Sequence, residues 1–172
     1  ASSSSHYYCN GFVRDIKGVV LRCSQWYNPH GAQTLVEAMN NSCNVAFVNL
    51  GRQVGKDLLL KYIKAFGFGE TTGIDLNGEQ AGLVPQNPDN IREVNLATMS
   101  YGHGIAVTPL QLINAVSAIA NGGNLMEPRL VKELIDNEGN VVKTFEPVVK
   151  RKVLSESTSK TMLDMLEQVV RD

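Results

Sequence analysis

The sequence feature that most constrains this chain is the polar stretch Asn-Ser-Cys-Asn at residues 41–44. It lies between two segments, residues 33–39 and 45–50, whose apolar side chains recur at helical spacing. A tight turn between two consecutive helices would present Ser42 and Asn44 to the same cleft. There a serine hydroxyl can relay a proton and an asparagine carboxamide can hold a peptide carbonyl. We therefore take Ser42 and Asn44 as the first candidate site residues.

Composition describes a globular domain and narrows the classes of partner. A chain of 172 residues with 43% hydrophobic residues can bury a sizeable single core. A net charge of −1 does not indicate nucleic acid or an anionic membrane surface as a partner. No apolar run approaches the roughly 18 residues of a membrane-spanning helix, so we expect any membrane anchor to lie outside this chain. The serine-rich start, residues 1–6, is predicted to be a flexible lead-in.

The chain contains three cysteines, Cys9, Cys23 and Cys43. Their spacing does not match that of the common metal-binding motifs, and we expect that His6, His30 and His103 do not cluster with them. The sequence therefore predicts no metal site. An odd number of cysteines also allows at most one internal disulfide in this chain.

Hydrophobic periodicity and turn residues predict an α+β chain that is rich in helix, with β-hairpins at its periphery. Too few strands can be identified to build a large central sheet. The first predicted elements are a short hairpin within residues 7–24, a helix over 33–39, and a second helix that starts at residue 45 and that Gly51 and Gly55 interrupt or end. An amphipathic helix over 57–66, a loop-rich segment over 67–92 and a short helix over 95–100 follow. The last predicted elements are a helix that begins at Thr108 and Pro109, a hairpin over 130–145 and a final helix after Ser155 or Ser157.

Four blocks of the sequence resemble, in the same order, motifs of the class B penicillin-binding proteins. They are HGAQTL with NSCN in residues 30–44, FGFG with TGIDL and GE in residues 66–79, LATMSYGHGIAVTPLQL in residues 96–112, and ANGG in residues 120–123. The resemblance extends over roughly residues 9–170 and is greatest to the sporulation- and division-type transpeptidases. It implies the helix-rich portion of the serine transpeptidase and β-lactamase-like fold, with an incomplete central sheet.

The resemblance also implies a reaction. Enzymes of this family combine a nucleophilic Ser-x-x-Lys, a Ser-x-Asn loop and a Lys-Thr/Ser-Gly strand. They cross-link peptidoglycan stem peptides ending in D-Ala-D-Ala through a serine acyl-enzyme, which β-lactams also form. In this scheme Ser42 passes a proton to the leaving amine, and Asn44 orients the bound peptide, so both are catalytic and Asn44 also binds substrate. The acyl-enzyme route needs no metal or organic cofactor.

The resemblance further implies a place of action and partners for the parent enzyme. Such enzymes work at the extracytoplasmic face of the cell membrane, held there by an anchor that we expect outside this chain. Division or sporulation machinery is the expected partner, beside the stem peptides themselves.

Of the three motifs, only Ser-x-Asn is present in this sequence at the expected position. Residues 1–41 contain no Ser-x-x-Lys, and no Lys-Thr/Ser-Gly follows the last predicted helix. Ser157 and Lys160 match Ser-x-x-Lys literally, but they follow Ser42 along the chain and are better explained as a capped helix start. We therefore expect residues 1–172 to be part of a transpeptidase domain that is inactive alone. The alternative is a non-catalytic homologue that binds wall peptides or division and sporulation partners.

Cys43 occupies the variable middle position of the Ser-x-Asn motif, which raises a redox hypothesis. Disulfides persist outside the cytoplasmic membrane, and a bridge between Cys23 and Cys43 would tie the turn to the N-terminal hairpin and displace Ser42. The rival hypotheses are a structural bridge between Cys9 and Cys23, and three free, mostly buried thiols.

Overall fold

The computed structural model describes residues 2–171, in which packed helices carry pairs of short strands at their periphery. Among these residues no helix is both long enough and apolar enough to cross a bilayer. The α-helices are Leu35–Asn40 (α1), Asn44–Val54 (α2), Lys56–Ala65 (α3), Glu93–Ser100 (α4), Pro109–Ala120 (α5) and Glu156–Arg171 (α6), and a 3-10 turn covers Pro88–Asn90.

The described strands pair two by two, always antiparallel, and none of these pairs joins another to form a larger sheet. The strands are His6–Cys9 (β1), Phe12–Val13 (β2), Leu21–Arg22 (β3), Gly31–Thr34 (β4), Asn124–Met126 (β5), Glu133–Ile135 (β6), Val141–Thr144 (β7) and Val149–Lys152 (β8). β1 pairs with β4, β2 with β3, β5 with β8 and β6 with β7. The helix-rich α+β class predicted from the sequence is confirmed, and the isolated pairs agree with an incomplete central sheet.

The N-terminal segment is more elaborate than the single predicted hairpin. β2 and β3 form a hairpin, but the pairing of β1 with β4 encloses it. Gln33 and Thr34 were predicted to begin the first helix and belong to β4 instead. The Thr34 hydroxyl accepts from the Glu37 N–H, and the Glu37 carboxylate accepts in return from the Thr34 N–H. This capping box sets the helix boundary more strongly than the apolar spacing does.

Within the predicted lead-in over residues 1–6, the described residues 2–6 contain a turn and the first residue of a strand. The Ser5 N–H donates to the Ser2 carbonyl, which closes a turn, and His6 already belongs to β1. The pairing of His6 with Thr34 in β4 gives the strand its earlier start. Residue 1 lies outside the described residues.

The helices predicted from strong local signals are present. Thr108 caps α5 ahead of Pro109, and the Ser155 hydroxyl accepts from the Thr158 N–H at the start of α6. The suggestion that Gly51 interrupts the second helix is wrong, because α2 continues through Gly51 to Val54, with Gly55 as its C-cap.

At Gly51, α2 packs closely on α4. A Cβ built at Gly51 would lie 2.7 Å from the Ser100 Cβ and closer still to its Oγ. The Ser100 hydroxyl donates to the Leu96 carbonyl at 2.7 Å, which holds it in place. The missing side chain at Gly51 is therefore what lets the two helices approach, and α4 carries one wall of the site described below.

Residues 67–92, predicted to be mostly loop, are held to α5 by one buried side chain. Gln111 is 1% exposed. Its Nε2 donates to the Glu70 carbonyl at 2.7 Å and to the Ala81 carbonyl at 2.9 Å. Its Oε1 accepts from the Thr108 N–H at 2.9 Å. The loop is thus anchored at two points to the first turn of a helix.

The close packing at Gly51 predicts the effect of a methyl group there. Alanine normally stabilises a helix interior by up to about 1 kcal/mol relative to glycine, but overpacking costs about 1–3 kcal/mol. We expect Gly51→Ala to lower the free energy of unfolding measured by urea titration. In a double-mutant cycle, Ser100→Gly should recover part of that loss. Additive effects of the two substitutions would show that the side chains do not compete for space.

Candidate active site

The candidate turn is the junction between α1 and α2, and a single residue reverses the chain there. The Ser42 N–H donates to the Met39 carbonyl at 3.0 Å, and the Cys43 N–H donates to the Ala38 carbonyl at 2.9 Å. Ser42 has a φ of 47°, and among the described residues it is the one non-glycine residue with a positive φ. This left-handed conformation lets two carbonyls at the end of α1 find donors before α2 begins.

The side chains of the turn point alternately outward and inward. Ser42 is exposed, Cys43 is fully buried and Asn44 is partly buried as the first residue of α2. Ser42 and Asn44 share a cavity of about 340 Å³, as the sequence led us to expect. The cavity is lined by Met39, Ser42, Asn44, Phe47, Ser100, Tyr101, Leu166 and Val169.

The Asn44 carboxamide is oriented by the strand beside it. Its Nδ2 donates to the Arg22 carbonyl at the end of β3, at 3.0 Å. This hydrogen bond uses one N–H of the amide, so the second N–H and the Oδ1 acceptor remain available to a ligand. Asn44 can therefore bind both the carbonyl and the N–H of a peptide group.

Part of the cavity wall was not identified from the sequence. Leu166 and Val169 come from α6, whose contact with α1 is a tertiary contact that apolar periodicity cannot reveal. Ser157 and Lys160, the literal Ser-x-x-Lys match, lie at the exposed start of the same helix and do not line the cavity.

Behind the turn, the structure brings together residues that are separated along the sequence. Cys23 Sγ lies 3.8 Å from Cys43 Sγ and 3.7 Å from His30 Nδ1. The sulfur atoms of Cys9, Cys23 and Cys43 and a ring nitrogen of His30 all lie within 4.8 Å of one another. The expectation that no histidine groups with the cysteines is therefore wrong for His30. The β1–β4 pairing sets Cys9 opposite Gly31, and this brings the neighbouring His30 to the cysteines.

Two thiols of the cluster, those of Cys23 and Cys43, differ in pKa. Burial, together with the neighbouring Cys23, raises the pKa of Cys43 to about 12. Burial also acts to raise the pKa of Cys23, but hydrogen bonds from the backbone N–H groups of Gln25 and Asn44, with those of the neighbouring thiols, outweigh it and lower that pKa. Cys23 therefore loses its proton before Cys43. All three thiols are free, and the redox hypothesis for Cys23 and Cys43 stays a prediction.

The left-handed conformation of Ser42 predicts an order of stability among its variants. Glycine adopts a positive φ without the steric cost of about 1–2 kcal/mol that a Cβ brings, but it loses more chain entropy on folding. We expect Ser42→Gly to unfold with a free energy about 1 kcal/mol higher than Ser42→Ala, although both variants lack the hydroxyl. Urea titration of the pair measures the difference. The reverse order would mean that the turn relaxes when the hydroxyl is removed.

Comparisons with known proteins identify the family of the chain. Residues 9–172 match the family model of the penicillin binding protein transpeptidase domain. The chain is 46% identical over 168 residues to stage V sporulation protein D of Bacillus subtilis. This alignment covers 96% of the chain and 25% of that protein. It is 31% identical over 136 residues to the peptidoglycan D,D-transpeptidase FtsI of Escherichia coli K12, covering 79% of the chain and 21% of the relative.

A solved structure extends the match to three dimensions. Penicillin binding protein 3 from Mycobacterium tuberculosis, complexed with aztreonam, aligns with a TM-score of 0.83 and 29% identity, over 98% of this chain and 37% of that one. The chain spans about a quarter of the length of the curated relatives it matches. Together these findings confirm the resemblance of the four sequence blocks: the chain belongs to the penicillin-binding protein transpeptidase family.

Proposed function

We propose that this chain forms the Ser-x-Asn side of the active site of a peptidoglycan D,D-transpeptidase, which cross-links stem peptides ending in D-Ala-D-Ala. The observation that carries the proposal is the position of Ser42 and Asn44 on one cavity at a helix junction, in a member of the transpeptidase family. Ser42 and Asn44 are the proposed catalytic residues, and Asn44 also binds the substrate.

The roles proposed for the two side chains are those that the family resemblance implies, and their surroundings support them. A nucleophilic serine outside this chain attacks the D-Ala carbonyl, so that a C–O bond forms and the peptide C–N bond breaks. The exposed Ser42 hydroxyl relays a proton to the departing D-Ala amine. Asn44, held by the Arg22 carbonyl, offers its second N–H and its Oδ1 to the peptide backbone of the stem. The reaction itself needs no metal or organic cofactor.

The ligands and setting of the parent enzyme are part of the same proposal. We expect it to bind β-lactams, since the aligned Mycobacterium tuberculosis protein is complexed with aztreonam. We place it at the extracytoplasmic face of the membrane, with the anchor outside residues 1–172. Its identity of 46% with a protein named for stage V of sporulation favours sporulation machinery over division machinery as its partner.

An exposed apolar face of α5 favours the interpretation that the chain is part of a larger domain over the alternative of a stand-alone, non-catalytic homologue. Leu112, Ile113 and Val116 are 52%, 58% and 48% exposed, although apolar side chains that recur on one helix face are usually buried. A contiguous apolar face of this kind needs a covering element. We propose that strands of the complete transpeptidase domain cover it.

The isolated chain is expected to lack acyl-enzyme chemistry. Residues 1–172 should take up no fluorescent penicillin covalently, because neither a Ser-x-x-Lys ahead of Ser42 nor a Lys-Thr/Ser-Gly is present in them. The measurement is in-gel fluorescence after denaturation, with a complete transpeptidase domain as positive control. A labelled band that disappears in Ser157→Ala would contradict the proposal, since it would identify the α6 match as a nucleophile.

In the complete protein, the two site residues should control acylation. We expect Ser42→Ala to slow penicillin acylation and stem-peptide cross-linking by about 10²–10⁴-fold, the usual contribution of a positioned proton relay. Asn44→Ala should mainly weaken substrate binding. Ser157→Ala is the matched control and should acylate at the normal rate. Normal acylation by Ser42→Ala in a correctly folded protein would remove Ser42 from the mechanism.

A further inference from the structure

The N-terminal strands and the loop after β3 carry four aromatic side chains that the proposed reaction does not use. Tyr8, Trp26 and Tyr27 are 66%, 45% and 70% exposed, and Phe12 is partly buried. The ring centroids of Phe12 and Trp26 lie 5.9 Å apart, and those of Trp26 and Tyr27 lie 6.0 Å apart. Tyr8 lines the same cavity as Phe12. These four residues form a continuous aromatic surface, and a contiguous exposed patch of this kind marks a binding site.

The aromatic surface is held in shape by the backbone and by two arginines. Gly11 has a φ of 89°, and a Cβ built there would lie 2.7 Å from the Trp26 carbonyl oxygen, so glycine lets the two segments approach. The Arg14 guanidinium carbon lies 4.2 Å from the centre of the Phe12 ring, and that of Arg22 lies 5.4 Å from the centre of the Trp26 ring. Such cation–π contacts orient both rings before a ligand arrives. A preformed surface loses little conformational entropy when it binds.

A cavity of about 310 Å³ continues the aromatic surface with polar side chains. Tyr8 and Phe12 line one part of it, and Asn10 and Asn49 bring carboxamide groups. The Asn10 Oδ1 accepts from the Phe12 N–H at 3.1 Å, which leaves the amide N–H groups of Asn10 available. Asn49 is partly buried, and its carboxamide has no hydrogen-bond partner within residues 2–171. Aromatic rings beside a few unused polar groups are the usual composition of a ligand site.

The charges around this cavity largely cancel. Arg52 lines it and forms ion pairs with Asp15 at 2.9 Å and with Glu93 at 2.8 Å. The positive charges of Arg14 and Arg52 are therefore offset by two carboxylates, and Arg22 adds one positive charge beside Trp26. A surface with so little net charge favours a largely neutral polar ligand over a nucleic acid or another polyanion.

The aromatic surface lies one strand away from the proposed peptide-binding side chain. Phe12 in β2 pairs with Arg22 in β3, and the Arg22 carbonyl accepts from Asn44 Nδ2 at 3.0 Å. Neighbouring strands are about 5 Å apart. A polymer whose peptide branch reaches Asn44 would therefore bring its main chain close to this surface.

We propose that the aromatic surface and its cavity bind the glycan chain of peptidoglycan, a polymer of N-acetylated amino sugars. The C–H faces of sugar rings pack on aromatic side chains, and the hydroxyl and acetamido groups at the ring edges exchange hydrogen bonds with carboxamides and guanidiniums. An acetamido group has one N–H donor and one carbonyl acceptor, which the unpartnered carboxamide of Asn49 can match. The choice of polymer rests on the proposed function, because the stem peptides are branches of that glycan.

The two parts of the substrate then have separate binding sites. Ser42 and Asn44 act on the stem peptide, and the aromatic surface holds the sugar chain from which the peptide branches. A β-lactam carries no glycan, so penicillin acylation of the complete protein should not depend on the aromatic surface. Cross-linking of polymeric peptidoglycan should depend on it, since holding the glycan raises the local concentration of its stem peptides.

The test is binding of peptide-free glycan to the complete natural protein, measured by isothermal titration calorimetry. The probes are the hexamer of N-acetylglucosamine and glycan strands whose stem peptides an amidase has removed. We expect saturable binding, and Tyr8→Ala and Tyr27→Ala should each weaken it about tenfold, the effect of losing one ring contact. Both side chains are mostly exposed, so the two variants should fold normally. Absence of saturable binding to both probes would overturn the proposal.

Further variants locate the site and identify the sugar. Trp26 is the one tryptophan of the 172 residues. Trp26→Phe should therefore keep most of the affinity and remove the Trp26 contribution to the change in tryptophan fluorescence on binding. Tyr62→Ala is the matched control, because Tyr62 is 42% exposed on α3, outside the aromatic surface, and this variant should bind normally. Equal weakening by Tyr62→Ala, or equal affinity for maltohexaose, which has no acetamido groups, would overturn the assignment.

Glycan binding and acylation are separate measurements, and their outcomes distinguish this inference from the proposed function. Glycan binding by a protein that no penicillin acylates would contradict the proposed function alone. Penicillin acylation without glycan binding would contradict this inference alone. Tyr27→Ala should cross-link polymeric peptidoglycan more slowly and keep its rate of penicillin acylation. A parallel loss of both activities would mean that Tyr27 supports the fold, and it would contradict the inference.

Discussion

The candidate site depends on the burial of Cys43 between two accessible neighbours. Ser42 bends the chain through a left-handed conformation, and the inward side chain of Cys43 then fixes where α2 starts. If Cys43 turned outward, Ser42 and Asn44 would no longer face one cavity. The local backbone strain at Ser42 is therefore maintained by the packing of the core beneath it, as is common where a functional residue has an unfavourable conformation.

The sequence predicted correctly those helix starts that depend on residues close together in the chain. The capped starts of α5 and α6 were foreseen because the hydroxyls of Thr108 and Ser155 accept from helix N–H groups within one turn. β4 was missed because its strand is only four residues long and is defined by pairing with β1, which lies far away along the chain. The helical wall at Leu166 was missed for the same reason.

The candidate site also contains residues that the sequence predicted and residues that it did not. Ser42 and Asn44 were predicted from a tripeptide whose meaning came from the linked family blocks around it, and the structure places both on one cavity. The grouping of His30 with the cysteines could not be predicted by spacing rules, which describe ligands within one loop. Here the four side chains come from the segment of paired strands and from the turn between α1 and α2, which only the three-dimensional fold brings together.

The hydrogen bonds of the Gln111 side chain determine how the irregular segment after α3, residues 67–92, can open. Its amide group joins the Glu70 and Ala81 carbonyls to the first turn of α5. Releasing the segment would leave a buried amide and two carbonyls without partners, so opening is coupled to unravelling of the helix start. In hydrogen-exchange terms, these residues without regular structure belong to the same cooperative unit as α5, and their protection should follow that of the helix and not that of a surface loop.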